Sequence, residues 1–200
     1  MYDIINYKFS KFKTWGRRNM KYYLVALIDE ESYKKLEPVQ KNLCRKYRLN
    51  RNLPMLHIPL QVLDNPNLDK LDSIIMDILK PYKRFKIELN EEIFFYEPIR
   101  TFNLKIEPRG YIKRLSRLFY DTLRIHGFNV RMPMDYDDIF ISLTNSNNSS
   151  KGSFNKDSAN NFLDRNANLL KVAKIDKIEL WKATSGKKDI IVRSYPLKTF

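Results

Sequence analysis

The sequence predicts an α+β fold in which helices pack on antiparallel sheets, and three observations point to it. Short runs of aromatic and β-branched residues, such as Tyr22-Tyr23-Leu24-Val25-Ala26-Leu27-Ile28, are bounded by turn residues and read as strands. Between them lie segments with apolar residues at helical spacing, the clearest running from Tyr111 to His126. The elements follow the order β-α-β-α-β-β-β-α-β-loop-β-β, which does not alternate regularly enough for a parallel α/β sheet. With 200 residues the chain is long enough to bury a core without disulfide or metal staples.

Each element has its own signal. The first strand, Tyr22 to Ile28, stops at Asp29-Glu30-Glu31. Ser32 to Tyr47 reads as a helix with Leu36, Val39, Gln40, Leu43 and Tyr47 on one face, and Pro38 is expected near its first turn, where a missing N–H is tolerated. Leu56 to Leu63 is a second strand closed by Asp64-Asn65-Pro66-Asn67. Leu68 to Leu79 is helical, with Pro81 just beyond. Phe85 to Leu89, Ile93 to Tyr96 and Thr101 to Ile106 read as three strands, with a turn at Pro98. In the long helix Leu115, Leu118, Phe119, Leu123 and Ile125 are expected to face inward, and Gly127 to cap the C-terminus. Asp138 to Leu143 is a strand, and the stretch 144–161, rich in Asn, Ser and Lys, reads as a long surface loop. Lys174 to Trp181 and Ile190 to Tyr195 close the chain as a hairpin-like pair across Ser185-Gly186.

Composition removes several function classes. Hydrophobic residues at 43% and aromatics at 13% exclude a disordered chain. The longest apolar runs are far shorter than the roughly 20 residues of a spanning helix, so no membrane role is expected. Lysines and aromatics stand where a secretory signal would need an apolar stretch. A single cysteine, Cys44, rules out a disulfide framework and a cysteine-based zinc site, so a reducing, cytoplasmic setting is expected. The five glycines are scattered singly, which disfavours a phosphate-cradling nucleotide loop, and no His/Asp/Glu cluster has metal-ligand spacing. No cofactor and no metal are therefore expected, and the chain is expected to be a monomer.

The formal charge of +14 is uneven. Residues 1–60 carry a net +8, residues 61–148 are neutral, and residues 149–200 carry a net +6. Ends brought together by the fold would make one basic surface suited to RNA or nucleotide phosphates; a general solubilising charge explains the same numbers equally well. Arg45, Lys46, Arg48 and Arg51, with Tyr47 among them, are the basic candidates for facing RNA. Residues 1–19 show no pattern the fold needs and are expected to be an extension, with Met20 as an alternative start and 20–200 as one domain.

Two strands carry a resemblance. Leu56-His57-Ile58-Pro59-Leu60 follows a strand–helix pair, and Ile139-Phe140-Ile141-Ser142-Leu143 follows a long helix ending in Gly127. This order resembles the 2H phosphoesterase superfamily, including its bacterial 2′-5′ RNA ligase and RNA cyclic phosphodiesterase branch. The resemblance spans Lys21 to Leu197 and implies two antiparallel-sheet lobes, with helices outside, around a central cleft. It also implies a His-x-Thr/Ser motif on each of the two strands, which here stand 83 positions apart at His57 and Phe140. In that pattern one histidine takes a proton and the other gives one, work suited to imidazole. The hydroxyl two residues on points the same way along a strand and meets the phosphate.

Both motifs depart from the pattern. The first keeps His57 but has Pro59 in place of the hydroxyl; the second keeps Ser142 but has Phe140 in place of the histidine. Phenylalanine carries no proton, and loss of one general acid or base forfeits about 10²- to 10⁴-fold in rate. The other histidine, His126, matches neither position. Phe140 is either core packing or an aromatic wall for a base. Tyr136, Asp137 and Asp138 are either a substitute acid or base or a polar turn. The resemblance thus implies a phosphate- or RNA-binding cleft with impaired catalysis. An active divergent cyclic phosphodiesterase and a structural or protein-interaction domain stand as the alternatives.

Overall fold

The computed structural model describes residues 20–47, 53, 55–96, 101–107, 110–132, 139–145, 171–184 and 190–199. Residues 1–19, Arg48, Arg51, Tyr136, Asp137, Asp138, the turns at Pro98 and Ser185-Gly186 and the loop past Asn145 lie outside the described residues.

β1 (Lys21–Ile28) leads into α1 (Glu30–Lys46), and β2 (His57–Asp64) into α2 (Leu68–Leu79). β3 (Phe85–Tyr96) and β4 (Thr101–Ile106) precede α3 (Tyr111–Ile125). β5 (Val130–Arg131), β6 (Phe140–Asn145), β7 (Val172–Lys182) and β8 (Ile190–Pro196) complete the order. The strands form one curled antiparallel sheet, β5-β2-β1-β7-β3-β4-β6, with β8 also paired to β7. Its halves are continuous because β7 pairs with both β1 and β3. The curl brings β2 and β6 into contact although no ladder joins them.

Local chemistry places the helices. Asp29 caps α1 by accepting from the Ser32 N–H at 2.9 Å, with Glu30 and Glu31 in the first turn and Arg45 and Lys46 in the last. These charges complement the helix dipole. Gly127, at φ 81°, takes the left-handed position after α3; the Gly127 N–H donates to the Arg124 carbonyl and the Phe128 N–H to that of Leu123. That is the pairing of a glycine-terminated helix. Leu36, Leu43, Leu71, Ile75, Leu115, Phe119 and Leu123 from the helices, and Leu24, Ile58, Leu104, Ile141 and Leu180 from the sheet, share one buried cluster. Gln61 crosses it, its amide donating to the Ser116 carbonyl at 2.6 Å and so fixing β2 to α3.

Several expectations are corrected. Pro38 lies at the ninth residue of α1, not in its first turn, so the helix continues through the loss of one backbone donor. Leu118 and Ile125 are exposed, Ile125 at 83%, because the inward stripe runs through Ile112, Leu115, Ser116, Phe119 and Leu123 instead. Phe85 to Tyr96 is one strand: Asn90-Glu91-Glu92, which looks like a turn, is taken up as a register shift between Leu89 and Ile93. Thr144 and Asn145, expected in the surface loop, extend β6 because Phe102 and Thr101 of β4 pair with them. The two-residue β5 is too short to leave a periodic signal.

Candidate active site on the two motif strands

Strand register decides which side chains stand together. Leu27 of β1 is the cross-strand partner of His57 on one side and Lys177 on the other; Val25 likewise pairs with Pro59 and Glu179. His57, Leu27 and Lys177 therefore form one row, and Pro59, Val25 and Glu179 the next. Val25, Leu27 and Trp181 make a small cluster apart from the main core, on the other side of the sheet from the helices. Between Leu24 and Val25 the register slips by one residue of β2, so Gln61 points to α3 while His57 and Pro59 keep to the opposite face. Proline is tolerated there because, among the described residues, β5 pairs with Val62 and Leu63 and no strand pairs with the outer side of β2 around Pro59.

His57 is half-buried, its ring centroid 4.7 Å from that of Trp181 at a tilt of 56°. Its Nδ1 lies 2.8 Å from the Met55 carbonyl oxygen. A carbonyl only accepts, so this contact assigns the proton to Nδ1 and, in the neutral ring, makes Nε2 the acceptor nitrogen. Such an imidazole can take a proton at Nε2. Trp181 is tied in turn to a buried carboxylate: its indole N–H donates to Glu179 Oε2 at 2.7 Å. Lys177 Nζ lies 3.2 Å from Glu179 Oε1, and the Ser194 hydroxyl donates to the same oxygen at 3.4 Å. Glu179 is 2% exposed, so these contacts offset the cost of burying its charge. The chain Glu179–Trp181–His57 orients the imidazole from behind.

The second motif strand is built from a different row. Asn103 of β4 pairs with Phe94 of β3 and with Ser142 of β6, and Lys105 pairs with Phe140. Phe140 is 2% exposed and meets Phe94 edge-on, with centroids 5.5 Å apart. Ser142 is half-buried beside it along the strand. Asn103 is wholly buried; its amide nitrogen donates to the Thr101 carbonyl (3.1 Å) and hydroxyl (3.0 Å). Its Oδ1 has no hydrogen-bond partner among the described residues. A buried acceptor of this kind is ordinarily met by a water or a ligand donor.

Arg45 and Lys46 are exposed at the end of α1, where the helix dipole already accounts for cations. Tyr47 is not an open platform, since its ring stacks on Phe102 at 4.6 Å and burial pushes its phenol up. Arg48, Arg51, Tyr136 and Asp138 lie outside the described residues. His126 caps α3 with Nδ1 2.8 Å from the Thr122 carbonyl.

Four residues of this face escape motif reading: Lys177, Glu179, Trp181 and Asn103. The first three had a signal, because Lys177-x-Glu179-x-Trp181 puts all three on one face of a strand. Asn103 had none. Among the described residues no group of three or more His, Cys, Asp or Glu stands close enough to hold a metal ion, and no helix is long and apolar enough to cross a membrane.

No protein-family model matches the sequence, and neither does any curated protein. Solved structures do. Escherichia coli LigT in its apo form superposes with a TM-score of 0.57 at 12% identity, over 90% of this chain and 98% of LigT. A Thermus thermophilus protein, TT0787, gives 0.58 at 16% identity, over 90% and 99% of the two chains. Kluyveromyces marxianus Usb1 gives 0.51 at 13% identity, over 90% and 98%. LigT has been solved with 3′-AMP, NADP+, ATP and phosphate.

Proposed function

This chain has the fold of the LigT-like 2H phosphoesterases, and we propose that it binds an RNA or nucleotide phosphate between its two motif strands while catalysing phosphodiester chemistry poorly or not at all. The observation that carries this reading is Phe140, a buried phenyl ring standing where the fold's second proton carrier is expected. Paired acid–base work needs two groups that move protons, and among the described residues β6 offers the hydroxyls of Ser142 and Thr144 and no histidine or carboxylate.

Binding is a weaker demand, and the residues present suit it. The Ser142 hydroxyl and the ammonium of Lys177 can donate to phosphate oxygens, and His57 donates from Nε2 in its imidazolium form. The LigT complexes with 3′-AMP and phosphate support the same ligand class by likeness of fold. The reading extends to a cytoplasmic monomer with no resident cofactor.

The test is a titration of the purified chain with a short single-stranded RNA at low and moderate salt. Phosphate contacts predict binding that weakens steeply as salt rises, and His57→Ala combined with Ser142→Ala should weaken it at least tenfold. Absence of any binding at low salt would point to a structural or protein-interaction domain.

A further inference from the structure

A row of lysines leads away from the first motif strand on the face of the sheet opposite the helices. Ala173 and Ile175 of β7 and Ile87 of β3 lie in the main core cluster, and Phe85 packs against it. Side chains alternate along a strand, so Lys174 and Lys86, which stand between these residues, project from the other face. His57, Lys177 and Glu179 occupy that same face. Lys174 and Lys177 are three residues apart and would fall on opposite faces of a regular strand. The register shift opposite Leu27 and Ile28 leaves Asp176 as an extra residue of β7, which turns both lysines to one side.

Charge is least balanced where the row ends. Lys86 and Lys174 are direct cross-strand partners, both are exposed, and like charges directly opposite each other destabilise a sheet. Glu31 attracts Lys174 from α1, whereas no carboxylate of the described residues forms an ion pair with Lys86. The remaining acidic groups stand nearer other cations: Asp176 attracts Lys177 and Arg84, and Glu179 lies 3.2 Å from Lys177. Glu88 follows Lys86 by two residues on the same face, opposite Val172. Spacing then limits what an occupant can be. Lys177 stands two strands from His57, about 10 Å at the usual separation of neighbouring strands, and the Lys86–Lys174 pair lies up to about 10 Å farther along β7. One phosphate held at His57 does not reach that pair, and a chain of consecutive phosphates does.

We propose that a single-stranded nucleic acid crosses this face, with one phosphate at His57 and Ser142 and another clamped between Lys86 and Lys174. The chain thus takes a strand of several nucleotides in preference to a mononucleotide. The inference rests on the phosphate-binding reading of the motif strands and adds to it a second anchoring point that no motif marks.

The test is a titration of the full chain with a short oligouridylate and with 3′-AMP over a range of salt concentrations. Lys86→Ala combined with Lys174→Ala is expected to leave 3′-AMP binding unchanged and to weaken the oligouridylate about tenfold. The slope of log affinity against log salt should become shallower by about 0.7 to 1.4, the loss of one or two phosphate contacts on a single strand. The melting temperature should hold or rise, because the substitutions relieve a repulsion between exposed groups. Lys34→Ala with Lys41→Ala removes the same charge from the exposed side of α1 and should leave oligouridylate binding unchanged. His57→Ala with Ser142→Ala should weaken both ligands. Equal binding of the matching DNA assigns recognition to the phosphate backbone alone, and weaker binding adds the ribose hydroxyls; both support the path. Full oligouridylate affinity and slope in the Lys86/Lys174 variant, or an equal loss in the α1 variant, would overturn the inference and leave the motif-strand reading standing. No binding of either ligand at low salt would overturn both.

Discussion

Phe140 decides how the second motif strand behaves, and its ring is buried against Phe94 on the face of the sheet away from the helices. Removing that ring leaves a cavity that the paired strands β4 and β6 cannot close. Phe140→Ala is therefore expected to destabilise the chain by about 3–5 kcal/mol, measurable by urea unfolding. A loss under about 1 kcal/mol would mean that the ring is an exposed wall rather than packing. At this scale the sequence was informative about identities but not about neighbours. His57, Pro59, Phe140 and Ser142 are legible because the order of elements singles out their strands. Glu179 stays hidden because its role depends on the indole of Trp181 and the ammonium of Lys177, and only the register of β7 against β1 and β8 fixes where that strand's face looks. Arg45 and Lys46, basic candidates by charge alone, lie in the last turn of α1, where they also complement the helix dipole.

Elements were legible wherever a local signal exceeded the noise of short segments. The periodicity of α3 and the glycine after it specify the helix and its end, yet Leu118 and Ile125 were misplaced because an apolar residue at a flank of the stripe can face either way. β3 reads as two strands because Asn90, Glu91 and Glu92 carry turn chemistry, and pairing with β4 overrides it. β8 is held to α2 by polar contacts that no motif announces: the Tyr195 hydroxyl donates to Asp72 at 2.8 Å, and Arg193 Nε stands 3.7 Å from the same carboxylate oxygen. Burial and that bond push the phenol pKa well above its ordinary value of 10.0. A pKa raised in the folded state means the bond's contribution is fully present below the unfolded value and is lost only as pH rises through the folded one. Tyr195→Phe should cost about 1.5–3 kcal/mol, as for a hydrogen bond to a charged group. The difference from the parent should stay constant from pH 6 to about pH 10 and shrink only above that. A difference that already disappears near pH 8 would contradict this account.

At the scale of the whole molecule, the antiparallel sheet and outer helices follow from element order, and the curl that sets β2 against β6 follows from shared strands. The continuity of the sheet through β7 was not legible, because a strand that changes partners along its length looks like any other strand. The central claim is that this fold retains a phosphate-binding face without a working pair of proton carriers. RNA ending in a 2′,3′-cyclic phosphate, incubated with the purified chain and with His57→Ala, tests it most directly. The account predicts no ring opening above background in either. Robust turnover by the parent chain that His57→Ala abolishes would contradict it and identify His57 as the proton carrier of an active phosphodiesterase.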